Sequence, residues 1–318
     1  MSGARALRVL LWHVHGSYTT SLVQGRHHYV LPVLADRGAD GRGRARTWDW
    51  PASAVERSPG ELRDCDVDVV ILQRPHEAQL LREWTGLVPG RDVAAVYLEH
   101  NAPEPHPVNS RHPLADAGIP IVHVTSFNRM FWDSGAARTH VIEHSVVDPG
   151  DRYTGEIAAA AVVINEPVRR DRMVGTDLLA ELAKAAPIDL FGMGDGPVPG
   201  TAQFGDIPQD AMHTELARRR VYLHPVRWTS LGLSLIEAMH LAMPVVALAA
   251  TAVPEAVPPE AGVVSSDPDR LATALRRYLA EPEAARAAGQ AARAHALHRF
   301  GLHRFLADWD RVLEEATA

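Results

Sequence analysis

The chain has 318 residues and a mass of 34.7 kDa, more than one hydrophobic core ordinarily serves, so two domains are expected. Hydrophobic residues make up 46% and charged residues 22%, the proportions of a globular protein in water. A net charge of −7 excludes a general attraction to nucleic acid or to an anionic membrane, while leaving room for a local basic pocket. One cysteine, Cys65, cannot form an internal disulfide, which points to a reducing cytoplasm. Its neighbours Asp64 and Asp66 disfavour a thiolate nucleophile. The first apolar run is of strand length, without a leader cleavage pattern, and no run reaches the ~18 apolar residues a membrane span needs.

In chain order, "LRVLLWHV" reads as a first strand. "HHYVLPVLADRG" reads as a helix ended by Gly38 and limited by Pro32. "VDVVILQ", "VAAVYLEH" and "IPIVHVTS" are further strands. Near-continuous apolar runs of this length belong to parallel sheets buried on both faces. After a loop around residue 155 the alternation restarts: strand "AAAAVVIN", helix "GTDLLAELAKAA", strand "IDLFGMG", helix "DAMHTELARRR", strand "VYLHP", helix "SLIEAMHLA" and strand "PVVALA". Three helices close the chain, in "DPDRLATALRRYLA", "EPEAARAAGQAARAHALHRF" and "LHRFLADWDRVLEEA". The expected organisation is α/β: two Rossmann-like doubly wound domains, residues 1–155 and 156–300, with 301–318 returning to the first. A ligand is then expected in an interdomain cleft, at the carboxyl ends of the strands.

The stretch "TSLGLSLIEAMHLAMPVVALAATAVPEAV" carries the densest chemistry. Gly232 precedes the helix that holds Glu237. A glycine there lets a ligand approach the backbone, and the free N–H groups of the first turn, with the helix dipole, favour an anion. Glu237, one turn further in, is placed to accept hydrogen bonds from hydroxyls attached to that anion, as on the ribose of a nucleoside diphosphate. A solvated glutamate on an amphipathic helix is the competing reading.

In register, Pro225, Gly232, Leu233, Glu237, Ala238, Met239, Pro244, Val245, Val246, Ala247, Pro254, Glu255 and Val257 resemble the C-terminal signature of retaining GT-B glycosyltransferases, the family-four-like glycosyl transferases group 1. "AGVVSSDPDRLATAL", "LFGMGDGP" and "VHVTSFNRMFWDSGAARTHVIEHSVVDP" are similar to further segments of that family. The resemblance implies transfer of a sugar from a nucleotide-diphosphate sugar to an unknown acceptor, with retention of configuration and without a metal; no cofactor is expected, and the small first domain with its polar, His-rich cleft leans towards a small acceptor. It implies Glu237 on the ribose, Gly232 and Leu233 at the diphosphate, and Glu255 near the sugar or phosphate. "LVQGRHHYV" looks like the helix whose glycine meets the donor phosphate, which makes Gly25 that residue, and "YLEHNAP" makes His100 the histidine that reaches the transferred sugar.

The chain departs from the pattern in places. Thr229 stands where the family has its first acid, eight positions before Glu237, and Ser230-Leu231 replaces Gly-Phe. Thr251-Ala252 replaces Gly-Gly. The basic residues that grip the diphosphate have no clean counterpart; Arg169, Arg170 and Arg172 lie in that neighbourhood. Eleven of the 17 histidines fall within the first 144 residues, among them His13 and His15 in "HVHGS" directly after the first strand. At i and i+2 both imidazoles face one way, towards an acceptor or sugar site. His27, His28 and His144 are as readily packing residues. Two rival readings remain: a nucleotide-sugar-binding protein that lost catalysis with the first acid, and a metal-dependent hydrolase built on the His13/His15 pair in an amidohydrolase-type barrel.

Overall fold

A computed structural model describes residues 5–318. The chain forms two compact units, one holding the chain up to Val147 together with Leu302–Ala318, the other Asp148–Gly301.

The first unit contains β1 (Arg8–Leu11), α1 (Gly16–Leu22), β2 (His28–Pro32), β3 (Ala54–Arg57), α2 (Pro59–Leu62), β4 (Val69–Leu72), α3 (Glu77–Thr85), β5 (Ala94–Glu99), β6 (Ile121–His123), α4 (Ser126–Phe131) and β7 (Thr139–Val141). Its strands form one parallel sheet in the order β3-β2-β1-β4-β5-β6-β7. The second unit contains β8 (Ile157–Val163), α5 (Pro167–Val174), α6 (Thr176–Leu182), β9 (Ile188–Phe191), β10 (Thr201–Gly205), α7 (Gln209–Arg218), β11 (Arg219–His224), α8 (Leu233–His240), β12 (Val245–Leu248), α9 (Val253–Ala256), β13 (Gly262–Ser265), α10 (Pro268–Ala280) and α11 (Pro282–Arg299). Its parallel sheet runs β10-β9-β8-β11-β12-β13. The closing helix α12 (Leu302–Thr317) belongs to the first unit.

Strands such as Val69–Leu72 and Val245–Leu248 are buried at every position because helices cover both sheet faces, which is why they read as unbroken apolar runs. Both sheets are doubly wound, and the strand order reverses between β1 and β4 in the first and between β8 and β11 in the second. These open sheets correct the barrel behind the hydrolase reading, which requires eight βα units closed in a ring.

The run "HHYVLPVLADRG" is a second correction: it holds strand β2, not a helix. Tyr29, Val30 and Leu31 are all buried, and Tyr29 and Val30 pair in parallel with Val9 and Leu10. Pro32 ends the strand, where its missing N–H costs nothing to the ladder. The helix after β1 is instead "GSYTTSL", a segment with no apolar periodicity. Its buried hydroxyls are satisfied by tertiary partners: Trp50 Nε1 donates to Thr20 at 2.7 Å, and Ser21 donates to the Ser145 carbonyl at 3.0 Å.

The division at 147/148 lies upstream of the sequence boundary at 155 because the intervening loop is tied to the second unit. Tyr153 donates to the Arg220 carbonyl at 2.8 Å, Thr154 N to the Ala217 carbonyl at 2.9 Å, and Arg293 pairs with Asp148 at 2.9 Å. Helix α12 buries Phe305, Trp309, Val312 and Leu313 along one face. Trp309 Nε1 donates to the Tyr18 hydroxyl at 3.1 Å. His27 accepts from Leu7 N through Nδ1 at 3.1 Å and faces Asp310 at 3.0 Å through Nε2, so it links β1's entrance to α12.

Candidate functional site

In open parallel sheets, ligands bind beyond the carboxyl ends of the strands, at the point where strand order reverses. In the second unit the loop after β11 runs from Pro225 to Gly232 and enters α8; the loop after β12 enters α9. Ala252 N donates to the Ser230 carbonyl at 3.4 Å and holds the two loops side by side. Thr229, Gly232, Leu233 and Glu255 therefore gather at one end of this sheet. No side chain caps α8 and no acid stands in its first turn, so its leading N–H groups are oriented for an anion.

Gly232 is explained differently from the sequence expectation. A Cβ at this position would sit 2.7 Å from Cε1 of the buried His224 ring, so it is the protein's own core that demands glycine. Glu237 is buried at 2% exposure, not solvated. Gln209 Nε2, from the start of α7, donates to its Oε1 at 2.7 Å, and His213 Nε2 lies 3.6 Å from Oε2. Glu255 is exposed, and its carbonyl accepts from the Arg299 guanidinium.

Beyond the ends of β8, β9 and β10 lies a cavity of about 430 Å³, lined by Ile164, Leu190, Gly192, Gly194 and Phe204 among others. Gly192 has φ +114, and a Cβ there would meet the Ile164 carbonyl at 2.5 Å, so only glycine turns the chain here. Phe204 stacks on Phe191 with centroids 4.9 Å apart, and the buried Arg219 lies over both rings. The arginines expected at the diphosphate do not converge. Arg169 is exposed and paired with Glu166; Arg172 is exposed and paired with Asp177 at 2.8 Å, a carboxylate shared with Arg227.

In the first unit, His13, His15, Gln73 and His100 follow the carboxyl ends of β1, β4 and β5, around the reversal point. His100 is buried and donates through Nε2 to Gln73 Oε1 at 3.0 Å, and Gln73 Nε2 donates to the Trp12 carbonyl at 2.6 Å. The His15 ring stands 4.2 Å from that of His100, and Tyr18 meets His100 edge-on at 4.7 Å. His13 Nδ1 donates to the Gly43 carbonyl at 3.0 Å. Burial pushes the His15 imidazole down to about 4, helped by the Arg42, Arg74 and His13 charges, and holds His100 well below the ordinary histidine range, helped by His15 and His144. Burial thus holds these imidazoles towards the neutral form, with His13 and His100 hydrogen-bonded to a backbone carbonyl and to Gln73. Sequence reasoning missed Gln73, although it directly follows the strand beside the reversal point.

Gly25 is not brought to this end. It follows the last turn of α1, towards the amino ends of the strands, and a Cβ there would meet the Tyr29 hydroxyl at 2.3 Å and Leu306 at 3.4 Å. The glycine at the carboxyl end of β1 is Gly16, directly after His15. Among the described residues, no group of three or more His, Cys, Asp or Glu is placed to hold a metal ion.

Residues 201–295 match the family model described as Glycosyl transferases group 1. No curated protein matches the chain. By structure, it is similar to sucrose-phosphate synthase from Thermosynechococcus elongatus, with TM-score 0.70, 14% identity, and 97% of this chain and 98% of that one covered. It is likewise similar to Anabaena HepE in complex with UDP and glucose, with TM-score 0.70, 14% identity, and 97% and 99% covered. A glycosyltransferase involved in avilamycin A biosynthesis aligns with TM-score 0.61 and 17% identity over 98% and 97%. The segment that carries Gly232, Glu237 and Glu255 is thus a glycosyl transferases group 1 segment, set in a chain with the two-unit parallel α/β fold of GT-B glycosyltransferases.

Proposed function

We propose that this chain transfers a glycosyl group from a nucleoside-diphosphate sugar to an acceptor held by the first unit, with retention of anomeric configuration and without a metal. The observation that carries the reading is the grouping, within the matched segment, of an uncapped helix N-terminus, the loop with Thr229, and the buried carboxylate of Glu237. The α8 N–H groups at Gly232 and Leu233 take the diphosphate and stabilise the charge that develops on it as the glycosidic bond breaks. Arg169 or Arg172 joins them only by leaving its present carboxylate partner. Glu237, preorganised by Gln209, accepts from the ribose hydroxyls, and the cavity at Gly192 and Phe204 is large enough for a nucleobase. Thr229 and Glu255 contact the transferred sugar. His100, oriented by Gln73, is the histidine assigned to the transferred sugar by the family resemblance, with His13 and His15 on the acceptor side of the first unit. Structures of HepE contain UDP and UDP-glucose, so uridine diphosphate is the first donor class to test. The lone Cys65 supports a cytoplasmic setting. No helix among the described residues is long and apolar enough to cross a membrane.

Thermal stabilisation of the purified protein by UDP, GDP, ADP and TDP, free and sugar-linked, tests the donor site. A ligand at ~100 times its dissociation constant adds roughly 2.7 kcal/mol, enough to move a melting curve. In Glu237→Ala the stabilisation by the preferred base falls to about half or less, since a charge-assisted hydrogen bond is worth about 1.5–3 kcal/mol. An undiminished shift in this variant refutes the role of Glu237; no shift with any nucleotide refutes the donor site. Thr229, in the place of the family's first acid, favours one second reading: a chain that binds the nucleotide sugar and turns nothing over. Release of free nucleotide from the stabilising sugar nucleotide separates the two.

A further inference from the structure

The proposed donor site leaves unused a concentration of positive charge in the first unit. Four arginines fall within ten residues, in "RGADGRGRAR", of a chain whose net charge is −7. They stand in the irregular segment between β2 and β3, and the structure closes that segment into a cup. Val33 bridges Arg42 in antiparallel fashion, Gly43 turns with φ +66, and Arg44 pins the segment by donating to the carbonyls of Trp50, Pro51 and Ala54. The cup is a shallow, open depression of about 400 Å³ lined by His13, Asp36, Arg37, Arg42, Arg44 and Arg46, with Arg42 and Arg46 exposed at its surface.

The charges in it are unevenly spent. Arg37 is neutralised by Glu56 at 2.8 Å. Arg44 is occupied by carbonyls through its guanidinium and donates its backbone N–H to Glu56 at 2.7 Å. Asp36 accepts from Gly38 N at 3.0 Å. Among the described residues, Arg46 has neither a hydrogen bond nor an ion pair, and the Arg42 guanidinium has a single long hydrogen bond, to the Val14 carbonyl at 3.3 Å. Glu56 faces both Arg37 and Arg44, so Arg42 and Arg46 are the cup's arginines without a carboxylate partner among the described residues, and positive charge is in excess there. Its position is equally telling. His13 lines the cup, and Arg42 reaches the carbonyl between His13 and His15, so the cup opens at the carboxyl end of β1, next to the histidine cluster.

We infer that this cup binds a phosphate monoester on a small acceptor, gripped by Arg42 and Arg46, so that the acceptor's hydroxyl lies at His13, His15 and His100. The inference rests on the reading that the first unit holds the acceptor. Guanidinium matches phosphate oxygens in a two-pronged fork, and a dianionic monoester balances the excess charge.

The test uses the full chain and reads binding by calorimetry and thermal shift. Ligands are inorganic phosphate, hexose and glycerol monophosphates, their uncharged parents, vesicles of phosphatidic acid in phosphatidylcholine, and UDP. The expected result is binding of a soluble monophosphate but not its parent, weakened roughly 100-fold in Arg42→Ala/Arg46→Ala, about tenfold for each guanidinium removed from the phosphate. The UDP shift in the same variant stays as in the parent protein, which shows that the variant is folded and that the phosphate was not sitting in the nucleotide site. Undiminished monophosphate binding in the double variant overturns the inference. So does UDP binding without any monophosphate binding, or binding to vesicles alone. Monophosphate binding that the double variant loses, in a protein that ignores every nucleotide, supports the anion site and fails the donor reading instead.

Discussion

Gly232 is the residue for which sequence and structure give different reasons, and the difference is measurable. Its φ is −70, a value alanine adopts freely, so backbone strain plays no part in Gly232→Ala. The added methyl would lie 2.7 Å from His224 Cε1 and 3.5 Å from Nε2, where a carbon contact settles at about 3.5–4.0 Å. Relief requires a shift of nearly 1 Å by a ring that is 2% exposed. Overpacking of this kind costs about 1–3 kcal/mol. His224→Ala alone leaves a cavity and costs roughly 2–4 kcal/mol, but it also vacates the space the new methyl needs. The double variant is then less destabilised than the sum of the singles by about 1–2 kcal/mol, read as urea midpoints at constant m-value. Additivity within about 0.5 kcal/mol would refute the steric explanation and return Gly232 to a role in ligand approach alone.

Other perturbations follow from the same packing. Burial holds His224 down at about 4. Between that value and the unfolded histidine's 6.5, the unfolded chain binds a proton that the folded chain refuses, so this contribution is complete above 6.5 and is lost as pH falls towards 4. Stability should drop by up to about 1.4 kcal/mol per pH unit for this one group, and His224→Asn should flatten the slope in pH-dependent urea unfolding; an unchanged slope contradicts it. Thr251 has φ +48, the left-handed region that β-branched residues avoid. Thr251→Gly, which relieves about 1–2 kcal/mol of strain against glycine's own entropy of roughly 0.5–1, should raise the melting temperature slightly; a lowered one means the threonine side chain holds the loop. Trp309→Ala should cost about 3–5 kcal/mol, since it empties a core site and strips the Tyr18 hydroxyl of its donor. A destabilisation under ~1 kcal/mol would show that α12 adds little to the first unit.

Strands such as β4 and β12 were legible in the sequence because burial on two faces leaves an unbroken aliphatic run, and α10 because its face alternates with the helical period. β2 was misread because "YVLPVL" is apolar at every position, which fits a buried helix as well as a buried strand. That error displaced the first helix and directed attention to Gly25, whereas the glycine that follows β1 at its carboxyl end is Gly16. Helix α1 escaped notice because it is short and buries Thr19, Thr20 and Ser21 beside Tyr18 and Leu22, with hydroxyl partners Trp50 and Ser145 that are distant in sequence.

Local spacing alone was enough for the architecture class and the restart of the α/β pattern, because residues one helical turn apart share a face whatever surrounds them; the signature from Gly232 to Glu255 was legible through its resemblance to a known family. It could not reveal that Glu237 is buried on Gln209, that Gly232 yields space to His224, that Arg169 and Arg172 are held by carboxylates, or that Arg42 and Arg46 are not. Those facts come from chain folding, which decides which charge meets which across many residues. Coulomb energy and packing depend on distance in space, not on position along the chain.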